Sequence, residues 1–137
     1  MMQDCGFSKI GEGKIPSAKV YYDSKTMAFL DIMPANKGHC LVVPKSHSQN
    51  LVDINEEDLI ALMKTAKKVA KAMSLSFGNA SFNIVMNNGK EAGQIVFHSH
   101  IHLIPRFQKD RLRIKWSHLK YEGDEMKEYA EKIRKFI

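Results

Sequence analysis

The chain has 137 residues, of which 44% are hydrophobic and 26% are charged. This length favours one domain, and the composition is typical of a globular protein rather than a disordered tail. Two cysteines are too few for a disulfide scaffold. No apolar run approaches the roughly 20 residues of a membrane span, and the N-terminal residues lack the apolar core of a signal peptide. We therefore expect a cytoplasmic protein with no membrane partner, or a nuclear one in a eukaryote.

The formal net charge of +6 suits an anionic ligand. Much of the excess positive charge lies near the C-terminus, in residues 109–115 and 132–135. These runs do not interleave aromatic residues in a nucleic-acid-binding pattern. They favour a solvated basic surface, and we expect no specific nucleic-acid partner.

Short β-prone runs bounded by turn residues or proline predict five strands. They are Val20–Tyr22, Met27–Asp31, His39–Val43, Phe82–Met86 and Ile95–Ile104. Pro44 and Pro105 stop the third and the fifth strands, because proline has no backbone N–H to donate. The first fifteen residues contain closely spaced glycines and are predicted to form a loop.

Apolar residues at steps of three and four predict one long helix in the middle of the chain. Asp53 or Asn55 is its N-cap, and Gly78 with Asn79 ends it. A charged helix with one apolar side is predicted over Asp124–Phe136. Strands before and after one long helix predict an α+β domain with a mainly antiparallel sheet, formed by the whole chain.

Three histidines, His98, His100 and His102, occupy alternate positions on the last predicted strand. Side chains alternate across a strand, so the three rings should share one face. A purely structural role does not fit well, since each buried imidazole needs polar partners. Two functions remain open from this pattern alone. The histidines bind a metal such as zinc, or one ring attacks a phosphorus while its neighbours hold the phosphate.

The loop before these histidines favours the second function. Residues 87–94, NNGKEAGQ, contain two glycines and lead directly into the histidine strand, so backbone amides can approach an anion closely. The stretch over residues 82–106, FNIVMNNGKEAGQIVFHSHIHLIPR, resembles the signature of the histidine triad family of nucleotide hydrolases and transferases. That signature is His-φ-His-φ-His-φ-φ with φ apolar, and Ser99 is the one departure.

The resemblance extends upstream, since residues 13–23 and 28–47 also match the family pattern in order. It covers roughly Cys5 to Arg106, and the remaining residues form an extension similar to that of longer microbial members. It implies the α+β fold of this family, whose members usually form two-fold dimers with the two sheets joined.

The resemblance also implies a role for each matching residue. His100 is the expected nucleophile, which attacks the α-phosphorus and forms a covalent nucleotidyl-histidine. His102 is expected to hold the phosphate, and His39 to support the orientation and charge of the nucleophile. His98, the first histidine of the signature, completes the expected catalytic set. A backbone carbonyl is expected to fix the nucleophile's second ring nitrogen.

The nucleotide-binding residues follow from the same resemblance. Asp31 is expected to accept hydrogen bonds from the ribose, Ile32 to pack against the base, and Asn87 to contact the sugar or phosphate. The backbone amides of four residues are expected to bind phosphate oxygens, and these are Gly93, Gln94, Ile95 and Val96. Ile95 stands where many members have Ser or Thr, which affects the expected leaving group.

Part of the family also binds a structural zinc, and the matching positions are Cys5, Ser8, His47 and His98. Ser8 replaces the usual second cysteine, so three ligands remain for zinc, with water or another group as the fourth. The alternative is a free Cys5 beside two hydrogen-bonded histidines. No cofactor is needed for the expected catalysis.

The expected function is hydrolysis of a nucleoside phosphoramidate or a dinucleoside polyphosphate, releasing a nucleoside monophosphate, AMP by resemblance. The expected partners are a purine nucleotide and a second copy of the chain. One alternative is a zinc hydrolase that uses the histidines as ligands. Another is a nucleotide-binding adaptor with little turnover, which the intact His39, His100 and His102 argue against because an adaptor needs no nucleophile.

Overall fold

The structure, a computed structural model, describes residues 5–78 and 81–137. Its elements are α1 (Gly6–Gly11), β1 (Lys19–Tyr22), β2 (Thr26–Leu30), β3 (Cys40–Pro44), α2 (Glu56–Phe77), β4 (Phe82–Val85), β5 (Ile101–Pro105) and α3 (Glu125–Arg134). The strands pair antiparallel in the order β1-β2-β3-β5-β4. The α+β class with an antiparallel sheet, one long helix and a C-terminal helix is confirmed. The predicted helix-ending Asn79 lies outside the described residues.

Both faces of the central strands are buried, which sets the position of everything else. Alternation along β3 directs Cys40 and Val42 into a core shared with α2. The residues between them, Leu41 and Val43, join a second core with Phe7 of α1 on the opposite face. The sheet is therefore covered by a long helix on one face and by a short helix on the other.

α2 begins and ends at the signals that the sequence predicted. The side chain of Asn55 accepts a hydrogen bond from the amide of Asp58, so Asn55 rather than Asp53 is the N-cap. Gly78 closes the helix with a left-handed φ of 60°. A buried hydrogen bond of 2.6 Å joins the hydroxyls of Thr26 and Thr65 and ties this helix to β2.

The prediction of a loop over the first fifteen residues is wrong, because residues 6–11 form α1. Its glycines stand at the two ends of the helix, where they cost little, and not in its interior. The Sγ of Cys5 accepts from the amide of Ser8 as an N-cap. Burial of Phe7 against the sheet supplies the contact that holds so short a helix in place.

The long strand predicted over Ile95–Ile104 is also wrong in its first half, since β5 begins only at Ile101. Its pairing with β3 runs from Cys40 opposite Leu103 to Val42 opposite Ile101. Pro44, two residues further along β3, has no amide to donate, so the ladder cannot extend to the preceding residues. That segment is held instead by a backbone hydrogen bond of 2.7 Å from Ser99 to Ser48.

The region after β5 is anchored at its start and exposed beyond it. Arg106 donates to both carboxylate oxygens of Asp110 and to the Oδ1 of Asn83, which fixes the chain against β4. α3 covers less than the predicted Asp124–Phe136 and has no buried residue within the single chain. None of the described helices is long and apolar enough to cross a membrane.

The turn between β1 and β2 predicts an acid-sensitive contribution to stability. Burial opposes ionisation of Asp23, but hydrogen bonds from the amides of Lys25 and Thr26 and from the Tyr21 hydroxyl hold its pKa at about 2. Asp23→Asn should therefore lower the free energy of unfolding at neutral pH by about 1–2 kcal/mol. Because the folded pKa lies below the unfolded value of about 3.9, the wild-type advantage is complete above pH ~4 and is lost as the pH falls towards ~2.

Urea unfolding at several pH values between these limits measures this loss. Asp124→Asn is the matched control, because the Asp124 side chain makes no capping hydrogen bond. A difference between wild type and Asp23→Asn that stays constant as the pH falls would contradict the assignment.

Candidate active site

The histidines collect on the face of the sheet that α1 covers. Ring centroids lie 5.0 Å apart for His47 and His98, 4.9 Å for His100 and His102, and 5.1 Å for His102 and His39. The rings form two groups, His47 with His98 and His39 with His100 and His102. Phe7 lies between the groups, with edge contacts of 5.9 Å to His98 and 5.1 Å to His100. The rings are therefore neighbours, as predicted, although only the last of the three signature histidines lies on β5.

His100 has one ring nitrogen committed and one available. Its Nδ1 lies 2.7 Å from the backbone carbonyl of His98, which can only accept, so Nδ1 must carry the proton. Burial lowers the pKa of His100, although this hydrogen bond and the charge of Asp31 act in the opposite direction. A neutral His100 then has an unprotonated Nε2, which is the form that attacks an electrophile.

His39 and His102 are hydrogen-bonded to each other beside His100. The Nε2 of His39 lies 2.9 Å from the Nδ1 of His102 and 3.7 Å from the Oδ2 of Asp31. Burial lowers the pKa of His39, and burial with neighbouring imidazoles lowers that of His102 to about 4. Both rings are therefore neutral near pH 7.

Gly38 allows the chain to place His39 in this group of histidines. Gly38 has a φ of 95°, and a Cβ there would lie 2.6 Å from the ring of Phe77, so the chain can pass only without a side chain. The amide of Asp31 then donates to the carbonyl of His39 over 2.9 Å. This backbone contact keeps the end of β2 beside the start of β3.

His98 contributes differently from the other signature histidines. Its ring is fully buried, with Nε2 2.7 Å from the Pro44 carbonyl and Nδ1 3.3 Å from the Sγ of Cys5. Burial lowers the pKa of His98, partly offset by the hydrogen bond to Pro44. The ring faces Cys5 and His47, which together with His98 form the Cys5 cluster. The group that touches His100 is the His98 carbonyl.

The residues expected to bind zinc fit a metal ion. Ligand atoms of Cys5, His47 and His98 all lie within 4.8 Å of one another, and the Ser8 hydroxyl is 3.1 Å from the Cys5 sulfur. The Pro44 carbonyl holds the proton of His98 on Nε2, so the nitrogen next to Cys5 has a free lone pair. Such an outer hydrogen bond is the arrangement that metal-ligating histidines use.

The loop that the sequence assigned to phosphate binding is partly occupied by its own contacts. The amide of Gly93 donates to Lys90 and that of Gln94 to Gly89, so these two amides are engaged in this conformation. The Gln94 side chain is buried and bonds to Gly89, Gln49 and Val96. Gln94 thus holds the loop together, and the amides of Ile95 and Val96 are the better candidates for phosphate.

The expected sugar and base contacts lie at the open side of the cluster. The Oδ1 of Asp31 accepts from the amide of Met33, and its second oxygen faces His39. Ile32 is 91% exposed and Ile95 is 88% exposed, which leaves apolar surface free for a base or a leaving group. The side chain of Asn87 lies beside Gly93, 3.8 Å from the position of a Cβ there.

Two residues that contact the site, Phe7 and Ser48, were not predicted from the sequence. No pattern signalled Phe7, because its helix was not predicted. Ser48 explains the departure of Ser99 from the family signature, since its hydroxyl donates to the Ser99 hydroxyl over 2.8 Å and its carbonyl accepts from it over 3.2 Å. The polar residue in the signature is thus satisfied inside the protein.

The geometry and the comparisons agree on the class of protein. The model of the HIT domain family matches residues 12–109, and the chain belongs to this histidine triad family, as the sequence predicted. It is 45% identical to Protein hit of Bacillus subtilis over 107 residues, and the matched region covers 78% of this chain and 74% of that protein.

Two further relatives are informative. Over 113 residues the chain is 45% identical to the adenosine 5'-monophosphoramidase HNT1 of Saccharomyces cerevisiae, covering 82% of this chain and 69% of that protein. The crystal structure of SMU.412c from Streptococcus mutans UA159 has a TM-score of 0.92 and 41% identity, covering 98% of this chain and 86% of that one. The fold expected from the family is therefore confirmed.

The two buried serines predict a measurable coupling. Ser48→Ala and Ser99→Ala should each lower the free energy of unfolding by about 1 kcal/mol, because each removes the buried hydrogen bond between the two hydroxyls. The double variant should cost less than the sum of the two, since it removes both partners. Urea unfolding of the four proteins measures the coupling, and additive losses would contradict it.

Proposed function

We propose that this chain is a nucleotide hydrolase that cleaves at the α-phosphorus of a nucleoside phosphoramidate or dinucleoside polyphosphate. The observation that carries the proposal is the hydrogen bond from the Nδ1 of His100 to the His98 carbonyl, which leaves the Nε2 lone pair for attack. The likeness to a relative named adenosine 5'-monophosphoramidase supports it, and makes AMP the expected product.

The reaction proceeds in two displacements. The Nε2 of His100 donates its lone pair to the α-phosphorus, forming an N–P bond while the bond from phosphorus to the leaving group breaks. The leaving group departs with that electron pair and takes up a proton from solvent. Water then attacks the same phosphorus, the N–P bond breaks, and the nucleoside monophosphate leaves as the water proton passes to solvent.

The neighbouring groups hold the substrate during both steps. His102 and the amides of Ile95 and Val96 donate to the phosphoryl oxygens, where charge develops. Asp31 accepts from the ribose hydroxyls and Ile32 covers the base. The exposed Ile95 gives the leaving group an apolar neighbour in place of a hydroxyl.

Replacing the nucleophile tests this mechanism. His100→Ala should lower kcat by roughly 10³-fold or more, because no other group in the cluster has the same free nitrogen beside the phosphate. AMP release from an adenosine phosphoramidate and a diadenosine polyphosphate measures the loss, and mass spectrometry of the stopped wild-type reaction should show an AMP adduct on His100.

His118→Ala is the matched control, since this exposed histidine makes no contact with the cluster within one chain. Each assay is repeated with a chelator. Activity lost on chelation would instead support a zinc hydrolase, and a wild type that binds AMP without turnover would support an adaptor.

We also propose that Cys5, His47 and His98 hold a structural zinc ion, with the Ser8 hydroxyl or water as a fourth ligand. The ion would secure α1 against the segment before β5, and no reaction step depends on it. The support is the distance between the three ligand atoms and the proton position of His98.

Restoring the missing thiolate tests this metal site. Ser8→Cys should raise zinc affinity by roughly 10- to 100-fold, because it adds a soft fourth ligand. Competition with a chromophoric chelator measures the affinity, and thermal unfolding with and without chelator measures the effect on stability. His47→Ala should remove binding, and unchanged zinc affinity in both variants would refute the assignment.

We further propose that two copies of the chain pair through the β4 edges of their sheets. The outer side of β4 bears the exposed Phe82 and Ile84, next to an apolar groove with Met63 of α2. The opposite edge is less suited to pairing, because Lys19 and Lys45 lie over the ring of Tyr22.

Two matched edge variants test the dimer. Ile84→Lys should dissociate the dimer, since a two-fold axis between the two β4 strands brings the two added charges close together. Val20→Lys on β1 is the control, because both side chains are 48% exposed. Light scattering after size exclusion gives the mass, and dissociation by Val20→Lys alone would place the interface at the other edge.

A further inference from the structure

One backbone amide determines which nitrogen of His39 carries a proton. The amide of Ala35 donates to the Nδ1 of His39 over 3.1 Å. A backbone amide can only donate, so this Nδ1 must be the unprotonated, accepting nitrogen. A neutral His39 therefore has its single hydrogen on Nε2.

The proton position of His39 determines that of His102. The protonated Nε2 of His39 lies 2.9 Å from the Nδ1 of His102, so His39 donates and His102 accepts. This leaves the single hydrogen of a neutral His102 on its own Nε2. His100, 4.9 Å away between ring centroids, has the opposite form, because the His98 carbonyl holds its hydrogen on Nδ1.

We propose that the amide of Ala35 acts, through His39, as the positioning group that makes His102 a hydrogen-bond donor to the phosphoryl group. The inference rests on the proposed function and deepens it. Attack at phosphorus needs a lone pair on His100, and holding a phosphoryl oxygen needs an N–H on His102. His100 and His102 supply these opposite properties, because the His98 carbonyl fixes the proton of His100 and the Ala35 amide, through His39, fixes that of His102.

The same amide works against metal binding in the active site. Ligand atoms of Asp31, His39 and His102 lie within 4.8 Å of one another, a set that suits a divalent transition metal. A metal on the Nε2 of His39 would place the proton on Nδ1, directly against the Ala35 amide. The Cys5 cluster has no such conflict, since His98 donates to a carbonyl.

Nuclear magnetic resonance of the free wild-type protein tests the proton positions without any substrate. Long-range ¹H–¹⁵N correlations distinguish protonated from unprotonated ring nitrogens. We expect protons on Nε2 of His39 and His102 and on Nδ1 of His100. A proton on the Nδ1 of His39 would overturn the inference, whether or not the protein hydrolyses nucleotides. A protein inactive on every nucleotide but with the expected protons would overturn the proposed function instead.

Substitutions at Ala35 and His39 test the consequence for turnover. Ala35→Gly keeps the amide and should match wild type, whereas Ala35→Pro removes it and should lower kcat roughly tenfold with little change in KM. His39→Gln keeps a donor for His102, so its kcat should fall less than that of a variant without a donor. His39→Leu, which has none, should lose about 100-fold in kcat.

A double variant separates the hydrogen bond from a general disturbance of the loop. In the His39→Gln background no ring nitrogen accepts from Ala35, so Ala35→Pro should have no further effect on kcat. A further loss of the same size would show that proline acts by distorting the loop. If Ala35→Pro does not fold, the resonance spectrum and the two His39 variants still decide between the outcomes.

Cobalt binding tests the metal consequence. In a His47→Ala background, which disables the Cys5 cluster, the protein should take up no Co²⁺ by visible absorption. Adding Ala35→Pro should allow Co²⁺ to bind at Asp31, His39 and His102, and AMP should displace the ion. Stoichiometric Co²⁺ at Asp31, His39 and His102 with the Ala35 amide intact would contradict the inference.

Discussion

The chemistry of this site depends on which nitrogen of each imidazole carries the hydrogen, and backbone groups make that choice. The carbonyls of His98 and Pro44 fix the hydrogens of His100 and His98, and the amide of Ala35 fixes that of His39. A backbone carbonyl or amide has a single role and does not titrate, so these choices do not change with pH. The rings need only remain neutral, and burial lowers the pKa of each.

The sheet supplies the precision that these contacts require. Its central strands are buried on both faces, so neither face can shift without opening a core. α2 stabilises one face and carries no residue of the cluster, while the thinner cover of α1 on the other face leaves room for the histidines. Phe7 is the apolar contact common to both groups of rings.

Much of the fold, and the grouping of the histidines in one place, could be predicted from the sequence. Period-3.6 and short β-prone patterns located α2, α3 and the strands, and the resemblance to the histidine triad family selected His39, His100 and His102. The first half of the fifth strand was predicted wrongly, because its extent depends on a proline in a different strand, which no local pattern reports. α1 was missed for a related reason, since burial of Phe7 and not local propensity stabilises it.

The family resemblance predicted that a carbonyl fixes the proton of His100. The proton position of His39 could not be predicted, because the group that fixes it is a main-chain amide. An amide at position 35 is supplied equally well by any residue except proline. Substitutions there can therefore accumulate freely during evolution while the hydrogen bond to His39 persists. The position would look unconstrained in a set of related sequences, and only the exclusion of one amino acid would record its role.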